Sequence, residues 1–454
     1  MAILKNRSAI LQLSAFLILY LLLFTGAYAT SLNEALISSY KTNPEIKSAI
    51  LALQSVDEEM PLAISGMLPS ASASLQRSKK KLSYDAVDTS GITDTKSIEI
   101  TQPLFKGGRT YASIKKAKND IMAAREHLKI VEQQVLLDAV SAYMDIVRDK
   151  EIFELAKNNH SVLKKHLEST QTRFKLGDVT RTDVAQSNAS LAKANSDRIL
   201  AERTLESSKA TYIKVIGMSP NDVSMPKKSI FMKGNLDELI KIALQNNPYI
   251  KTAEYNADSA KNNISVEKST LLPQLVAFAN KNRQMDVSNI PSVNGKTIDS
   301  SSFGIRLSIP LYQAGAEYAQ IRKAKIIAGK NSFDLITTQN NVRESVIKAY
   351  QDFNVAQSLI KSDQSSVNSF AVALKGVQQE NIAGLRTTID VLDAENDLYN
   401  AKATLIASKA NEIVSSYNLL AQLGRLTTKE LGLKTDGNNN EIYSNKLKYQ
   451  IIGF

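Results

Sequence analysis

Few residues of this 454-residue chain combine a type and a spacing that could support catalysis or metal binding. The three histidines, His127, His160 and His166, fit no H-E-x-x-H or comparable ligand spacing. The sequence contains neither a phosphate-binding P-loop nor a G-x-S-x-G nucleophile motif. The absence of cysteine excludes disulfides, thiolate metal sites and thiol nucleophiles. We therefore expect no enzymatic activity, no metal site and no cofactor.

The charge pattern argues against a nucleic-acid partner. The formal net charge is +11, which is moderate for a chain of this length. Lysines are scattered between Glu and Asp, as on a solvated surface, and no basic stripe with interleaved aromatic residues occurs. We therefore expect no nucleic-acid binding.

Residues 1–29 have the organisation of a cleaved secretory signal. Lys5 and Arg7 precede an almost wholly apolar run over 10–24, and Ala27-Tyr28-Ala29 provides a small-x-small cleavage site. The alternative is a retained membrane anchor. No other stretch approaches the ~20 apolar residues of a membrane-spanning helix. Any membrane insertion by the mature chain must therefore use β-strands.

Prolines recur at matching positions in the two halves of the chain. Proline interrupts helices, so matched prolines mark matched boundaries. Three proline pairs recur at offsets of 204, 204 and 207 residues: Pro44 and Pro248, Pro69 and Pro273, Pro103 and Pro310. We interpret the chain as a duplication, with repeat 1 over 30–230, repeat 2 over 231–430 and a polar, flexible C-terminal tail over 431–454.

Each repeat contains a segment with strand periodicity, about 69–103 in the first and about 273–310 in the second. Ile305, Leu307 and Ile309 alternate with Arg306 and Ser308, and this period of two places apolar and polar side chains on opposite faces. Turn-forming clusters over 88–91 and 292–295 divide the segments. We therefore predict one long β-hairpin in each repeat.

Long helices follow each hairpin. The stretches from 104 to 219 and from 311 to the end contain no proline, and a conspicuous break lies at Gly177 or Gly384. We predict a helix of roughly 65–70 residues, on the order of 100 Å long, a turn, and a return helix of roughly 35 residues. Apolar spacings of four and three, as at Leu136, Val140 and Tyr143, indicate coiled-coil packing. A generic coiled-coil rod is the alternative.

Four amphipathic strands are too few to close a barrel around their polar side. An open sheet edge in hydrocarbon leaves backbone groups unsatisfied at a cost of several kcal/mol each. Membrane-inserted strands must therefore be shared among several copies, with Ile305 and Leu307 facing lipid and Arg306 facing the lumen. The alternative is that the hairpins pack in a soluble sandwich.

Three features together resemble the TolC family of outer-membrane efflux and type I secretion channel proteins. They are the segment from Gly384 to Lys402, the segment Thr101-Gln-Pro-Leu-Phe-Lys-Gly-Gly-Arg109, and the paired Asn-Pro-x-Ile turns. The resemblance covers about 31–427. It implies a mainly α fold with a membrane β-barrel, in which a homotrimer forms a 12-stranded barrel in the outer membrane and a 12-helix periplasmic tunnel.

The resemblance also implies a function and partners. The chain would be the outer-membrane exit duct of a tripartite efflux or type I secretion system, with a periplasmic adaptor, an inner-membrane pump and outer-membrane lipid as partners. The alternative is a periplasmic coiled-coil adaptor or tethering protein of an envelope complex.

The family match assigns a periplasmic gate to the helix tips. Asp390 and Asp393 match the acidic constriction, while Arg386, Thr182 and Asp183 match the polar ties that hold it closed. The alternative is that acids near a helix start complement the macrodipole. One departure stands out, because position 381, where the best-known members carry Tyr, is Asn here.

The tips themselves match the expected adaptor contacts, although both glycines could simply cap helices in the left-handed conformation. The contact residues are Leu176, Gly177, Asp178, Ala383, Gly384 and Leu385. Lys79-Lys-Lys81 in the first hairpin either approaches outer-leaflet phosphates or belongs to a solvated loop.

Overall fold

The computed structural model describes residues 31–84, 87–226, 234–288 and 295–433. The first half runs α1 (Leu32–Thr42), α2 (Pro44–Asp57), α3 (Glu59–Ser65), β1 (Ser70–Tyr84), β2 (Val87–Lys106), α4 (Arg109–Lys175) and α5 (Arg181–Ile216). The second half runs α6 (Leu236–Asn246), α7 (Pro248–Lys268), a 3₁₀ turn (Ser269–Leu271), β3 (Gln274–Ser288), β4 (Lys296–Ser308), α8 (Ala316–Ile382) and α9 (Thr388–Gln422). The predicted signal and all but the first three residues of the predicted tail lie outside the described residues.

The two halves begin in the same way. Ser31 with Glu34, and Asn235 with Glu238, form capping boxes that satisfy free N–H groups at the starts of α1 and α6. Each of these helices ends at an asparagine followed by a proline that opens the next helix. The halves then differ. Pro61 has no N–H to donate to the carbonyl of residue 57, so a break separates α2 from α3, whereas α7 is continuous.

The long helices have the predicted lengths. The outgoing helices α4 and α8 contain 67 residues each, and the return helices α5 and α9 contain 36 and 35. The predicted core positions Leu136, Val140 and Tyr143 are at most 1% exposed, which confirms the coiled-coil spacing. Within the described residues, no helix has a span both long and apolar enough to cross a membrane.

The two hairpins form one antiparallel sheet in the order β1-β2-β3-β4. The central pairing of β2 with β3, for example Ile100 opposite Ala279, joins the two halves. The predicted turn at 88–91 is wrong, because these residues continue β2 and pair with 80–83. The added ladder hydrogen bonds outweigh the local turn preference. Of the second predicted turn, 292–294 lie outside the described residues.

The chain divides into two compact units. The first comprises the described residues within 31–46, 131–247 and 343–433, and the second comprises those within 47–130 and 248–342. The first unit is helical, and its core contains Tyr143, Tyr212 and Tyr417. The second unit contains the sheet. Both halves of the sequence contribute to both units, and the proposed repeat boundaries stay a prediction.

Candidate functional site

The first helix tip connects α4 to α5. Gly177 adopts a φ of +86°, and the Asp178 N–H donates to the Arg173 carbonyl at 3.0 Å, which is the bond of a Schellman motif. Thr180 then caps α5. Its N–H and hydroxyl both donate to Asp183 Oδ2, at 2.8 and 2.7 Å. These bonds lower the pKa of Asp183, chiefly because the Thr180 hydroxyl stabilises the carboxylate.

The second tip, between α8 and α9, repeats this geometry. Gly384 has a φ of +80°, and the Leu385 N–H donates to the Glu380 carbonyl at 2.8 Å. The Thr387 N–H and hydroxyl donate to Asp390 Oδ2 at 2.8 and 2.7 Å, and the hydroxyl bond is the main cause of the lowered pKa of Asp390. Both glycines therefore cap helices, as the alternative interpretation expected. The adaptor contacts stay a prediction.

The two predicted gate acids have different surroundings. Asp390 is half-buried and belongs to the capping box of α9. Asp393 lies almost one turn later, is exposed, and has no hydrogen-bond or ion-pair partner among the described residues. Asp390 thus caps the start of α9, while the side chain of Asp393 is exposed and makes no contact of this kind within the part of the chain that the structure describes.

Arg386 has a partner that the sequence did not reveal. Its Nε lies 2.8 Å from Glu380 Oε2, and both side chains are about half exposed. Asn381 Nδ2 donates to the Arg386 carbonyl at 2.9 Å, so this side chain stabilises the turn. Within one chain Arg386 is therefore tied to its own tip, not to Thr182 or Asp183.

The return helices α5 and α9 lie side by side near the tips. Thr388, the first residue of α9, hydrogen-bonds through its side chain with the Asp183 carboxylate, which further lowers the pKa of that acid. Lys193 Nζ lies 3.2 Å from Asn396 Oδ1. Between these contacts Ala194 and Leu392 pack in one apolar cluster. Asp183 and Thr388 are thus brought together, although the sequence paired Asp183 with Arg386.

A groove of about 270 Å³ lies between α4, α8 and α9 in the first unit. Its lining includes Leu155, Gln378, Leu398 and the carboxyl of Glu395. One oxygen of Glu395, Oε2, is buried without a hydrogen-bond partner among the described residues. This burial raises the pKa of Glu395, and a hydrogen bond from Gln378 opposes the shift only in part. No sequence motif pointed to this acid.

The sheet has one apolar and one polar face near the helices. Phe303, Ile305 and Leu307 are 90%, 67% and 58% exposed on one face of β4. On the other face the Arg306 guanidinium lies over the Phe278 ring, 4.8 Å from its centroid. The predicted alternation is therefore present, and it leaves a large exposed apolar surface on a single copy.

A family model described as outer membrane efflux protein matches residues 36–218 and 239–425. The chain belongs to this family. The resemblance stated from the sequence is thereby confirmed, and the chain is an outer-membrane efflux protein. The two matched segments correspond to the two halves of the chain, each with its hairpin and its pair of long helices.

The similarity of this efflux protein to known proteins covers nearly its whole length. The outer membrane efflux protein BepC of Brucella suis is 29% identical over 409 residues, covering 90% of this chain and 88% of BepC. TolC of Escherichia coli is 22% identical over 426 residues, covering 90% and 85%. The alkaline protease secretion protein AprF of Pseudomonas aeruginosa is 22% identical, covering 91% and 88%.

Solved structures share the fold. The outer membrane protein VceC of Vibrio cholerae superposes with a TM-score of 0.73 at 18% identity, covering 87% of this chain and 96% of VceC. The Campylobacter jejuni CmeC outer membrane channel gives 0.74 at 16% identity, covering 92% and 89%. These structures confirm the predicted mainly α fold of the chain. The family match confirms the outer-membrane location, and it favours the channel over the adaptor alternative.

Proposed function

We propose that three copies of this chain assemble into the exit duct of a tripartite efflux or type I secretion system. The observation that carries the proposal is the order of the sheet. The edge strands β1 and β4 each have one side without a strand partner within the described residues. Pairing β1 of one copy with β4 of the next satisfies these edges and closes a cylinder of twelve strands from three copies.

The duct transports without catalysing a reaction. Its partners are a periplasmic adaptor and an inner-membrane pump, which supply the substrate and the energy. Relatives named for efflux, such as BepC, and for protease secretion, such as AprF, support export without defining the substrate. The tips around Gly177 and Gly384 are the proposed adaptor contacts, because both expose short turns with no side chain packed against the glycine.

The same tips form the proposed periplasmic gate. Asp393 and Asp390 of three copies line a constriction that attracts cations and repels anions. Arg386 ties neighbouring helix pairs through Thr182 and Asp183 when the gate is closed, exchanging its local partner Glu380 for them. The Arg386–Glu380 ion pair is exposed to solvent, and exposed ion pairs contribute little to stability, so Arg386 can exchange this partner at small cost.

Single-channel recording in planar bilayers tests the gate. Arg386→Ala and Asp183→Ala should both increase conductance, because each removes a tie that holds the tips closed. Glu380→Gln removes only the local partner of Arg386, and should leave conductance at or below that of the unmodified protein. Arg181→Ala is the matched control. It removes an exposed arginine beside the first tip, and Arg181 is not one of the residues proposed to hold the gate closed.

Two results would contradict the gate assignment. One is unchanged conductance in both Arg386→Ala and Asp183→Ala. The other is an equal increase in Glu380→Gln, which would show that the local turn, and not a tie between helix pairs, limits the opening.

A further inference from the structure

In the central strands β2 and β3, one face of the sheet is more exposed than the other, whereas the edge strands β1 and β4 are exposed on both faces over almost all of their described side chains. In β3, residues 279, 281, 283 and 285 are exposed while 278, 280, 282 and 284 are half-buried. In β2, residues 96 and 98 are exposed while 95 and 97 are half-buried, and beyond them both 99 and 100 are exposed. Directly opposed residues share a face, so the pairings Leu75 with Lys96 and Lys96 with Arg283 extend this exposed face across three strands.

The exposed face is divided into two zones along the strands. Near the ends of the strands that lead into helices it is apolar, with Ile100, Phe303, Ile305 and Leu307 at least 47% exposed. Toward the hairpin turns it becomes basic. This basic zone, named the basic belt, consists of Arg77, Lys79, Lys96, Lys281 and Arg283.

The belt carries more positive charge than its own acids can neutralise. Arg77 binds Asp94 through two bonds of 2.6 and 2.7 Å. Arg283 binds Asp299 in the same way at 2.6 and 3.0 Å. Five basic and two acidic residues leave a net charge of +3 for each copy, contributed by three lysines.

The belt lies at the height where lipid head groups are expected. From Leu275, at the start of the apolar zone, to Arg283 in the belt is eight residues, which at ~3.3 Å per residue is about 26 Å along the strand. A strand tilt of ~40° reduces this to roughly 20 Å of height, and long lysine and arginine side chains reach further toward the head groups. The apolar band of outer-membrane barrels is about 25 Å tall. With the sheet inserted as proposed above, the belt therefore marks the outer edge of the hydrocarbon, on the lipid-facing side.

We propose that the basic belt binds the phosphate groups of anionic lipids in the outer leaflet. The inference rests on the proposed assembly and adds a ligand class to it. A lipid fits better than a free anion, because Leu75, Ile98 and Met285 lie among the basic residues on the same exposed face and can contact acyl chains. This assigns Lys79 to the lipid-contact alternative for Lys79-Lys-Lys81, whereas Lys80 lies on the other face.

Native mass spectrometry of the full chain in dodecylmaltoside tests the proposal, with diphosphorylated lipid A as the probe. Lys96→Gln with Lys281→Gln should weaken lipid A binding at least about fivefold, since each basic residue near an anionic surface contributes to attraction. The matched control is Lys80→Gln with Lys296→Gln, which removes the same charge from the opposite face and should change binding by less than about twofold. Phosphatidylcholine should bind more weakly than lipid A to the unmodified protein.

Three results would contradict lipid binding by the basic belt. They are an equal loss of lipid A binding in both double variants, equal binding of phosphatidylcholine and lipid A, and displacement of lipid A by inorganic phosphate alone. The same spectra report the mass of the assembly. A trimer without lipid preference contradicts only the belt, whereas a monomer contradicts the proposed assembly and the belt with it.

Discussion

Two buried tyrosines show how one hydroxyl can stabilise the helical core while its neighbour does not. Tyr143 and Tyr212 are 1% and 0% exposed, and their ring centroids are 6.5 Å apart. The Tyr143 hydroxyl donates to the Ser224 carbonyl at 2.9 Å. The Tyr212 hydroxyl has no partner among the described residues, and burial raises its pKa to about 12. Both rings are packed in the core, but within the described residues only the Tyr143 hydroxyl gains a hydrogen bond to offset the cost of its burial.

The substitutions Tyr143→Phe and Tyr212→Phe separate these terms. Tyr143→Phe should destabilise the protein by about 1 kcal/mol, because it removes a hydrogen bond and leaves the Ser224 carbonyl without that donor. Tyr212→Phe removes an unpaired buried hydroxyl and should be neutral or stabilising. The measurement is the midpoint of thermal unfolding followed by circular dichroism. A larger loss in Tyr212→Phe would show that its hydroxyl has a partner in the assembled protein.

Among the helices, glycines in the left-handed conformation follow the ends of the long helices, and the need for glycine differs between two of these positions. Gly384 has a φ of +80° and open space where a side chain would project. Gly424, just after α9, has a φ of +74°, but a Cβ there would lie 2.7 Å from the Asn246 carbonyl oxygen. The first glycine is required only by backbone conformation, while the second also permits close packing of α9 against the end of α6.

Gly384→Ala and Gly424→Ala test this difference. Gly384→Ala should cost about 1–2 kcal/mol, the strain of a non-glycine residue in the left-handed region. Gly424→Ala adds a backbone clash and should cost more than that, or prevent folding. Unfolding midpoints of the two variants provide the comparison. Equal midpoints would contradict the packing role of Gly424, and a misfolded Gly384→Ala would contradict the open geometry of the tip.

The sequence predicted these elements because their signals are local. The positions of proline and glycine marked the ends of the long helices, and the apolar spacing through Leu136 and Val140 identified buried positions. The turn at 88–91 was misplaced because pairing with 80–83 is decided by the opposing strand and not by local preference. The Arg386–Glu380 pair and the buried Glu395 were missed for a related reason, since helix packing and turn geometry determine which charges meet.

At the scale of the whole molecule, a single copy leaves two kinds of surface incomplete. The edge strands β1 and β4 end the sheet, and the apolar side chains Phe303 and Leu311 are 90% and 91% exposed. In the proposed trimer, association of copies edge to edge pairs the first, and insertion into the outer membrane covers the second. The chain's duplicated organisation then gives the proposed trimer an approximate sixfold arrangement of hairpins and helix pairs.

The two halves do not contribute equally to the proposed gate. Asp390 and Asp393 both belong to the second half, and Gln186 takes the place of the second acid in the first half. In the proposed trimer, three copies would therefore bring six carboxylates to the proposed constriction. A duct with this ring should select cations over anions.

The reversal potential of the purified protein in a planar bilayer under a KCl gradient tests both the channel and its proposed acidic constriction. We expect discrete conductance steps with a cation-selective reversal potential, which shifts toward zero in the double variant Asp390→Asn with Asp393→Asn. The absence of conductance steps would contradict the channel itself. A reversal potential that is the same in both proteins would contradict the acidic constriction.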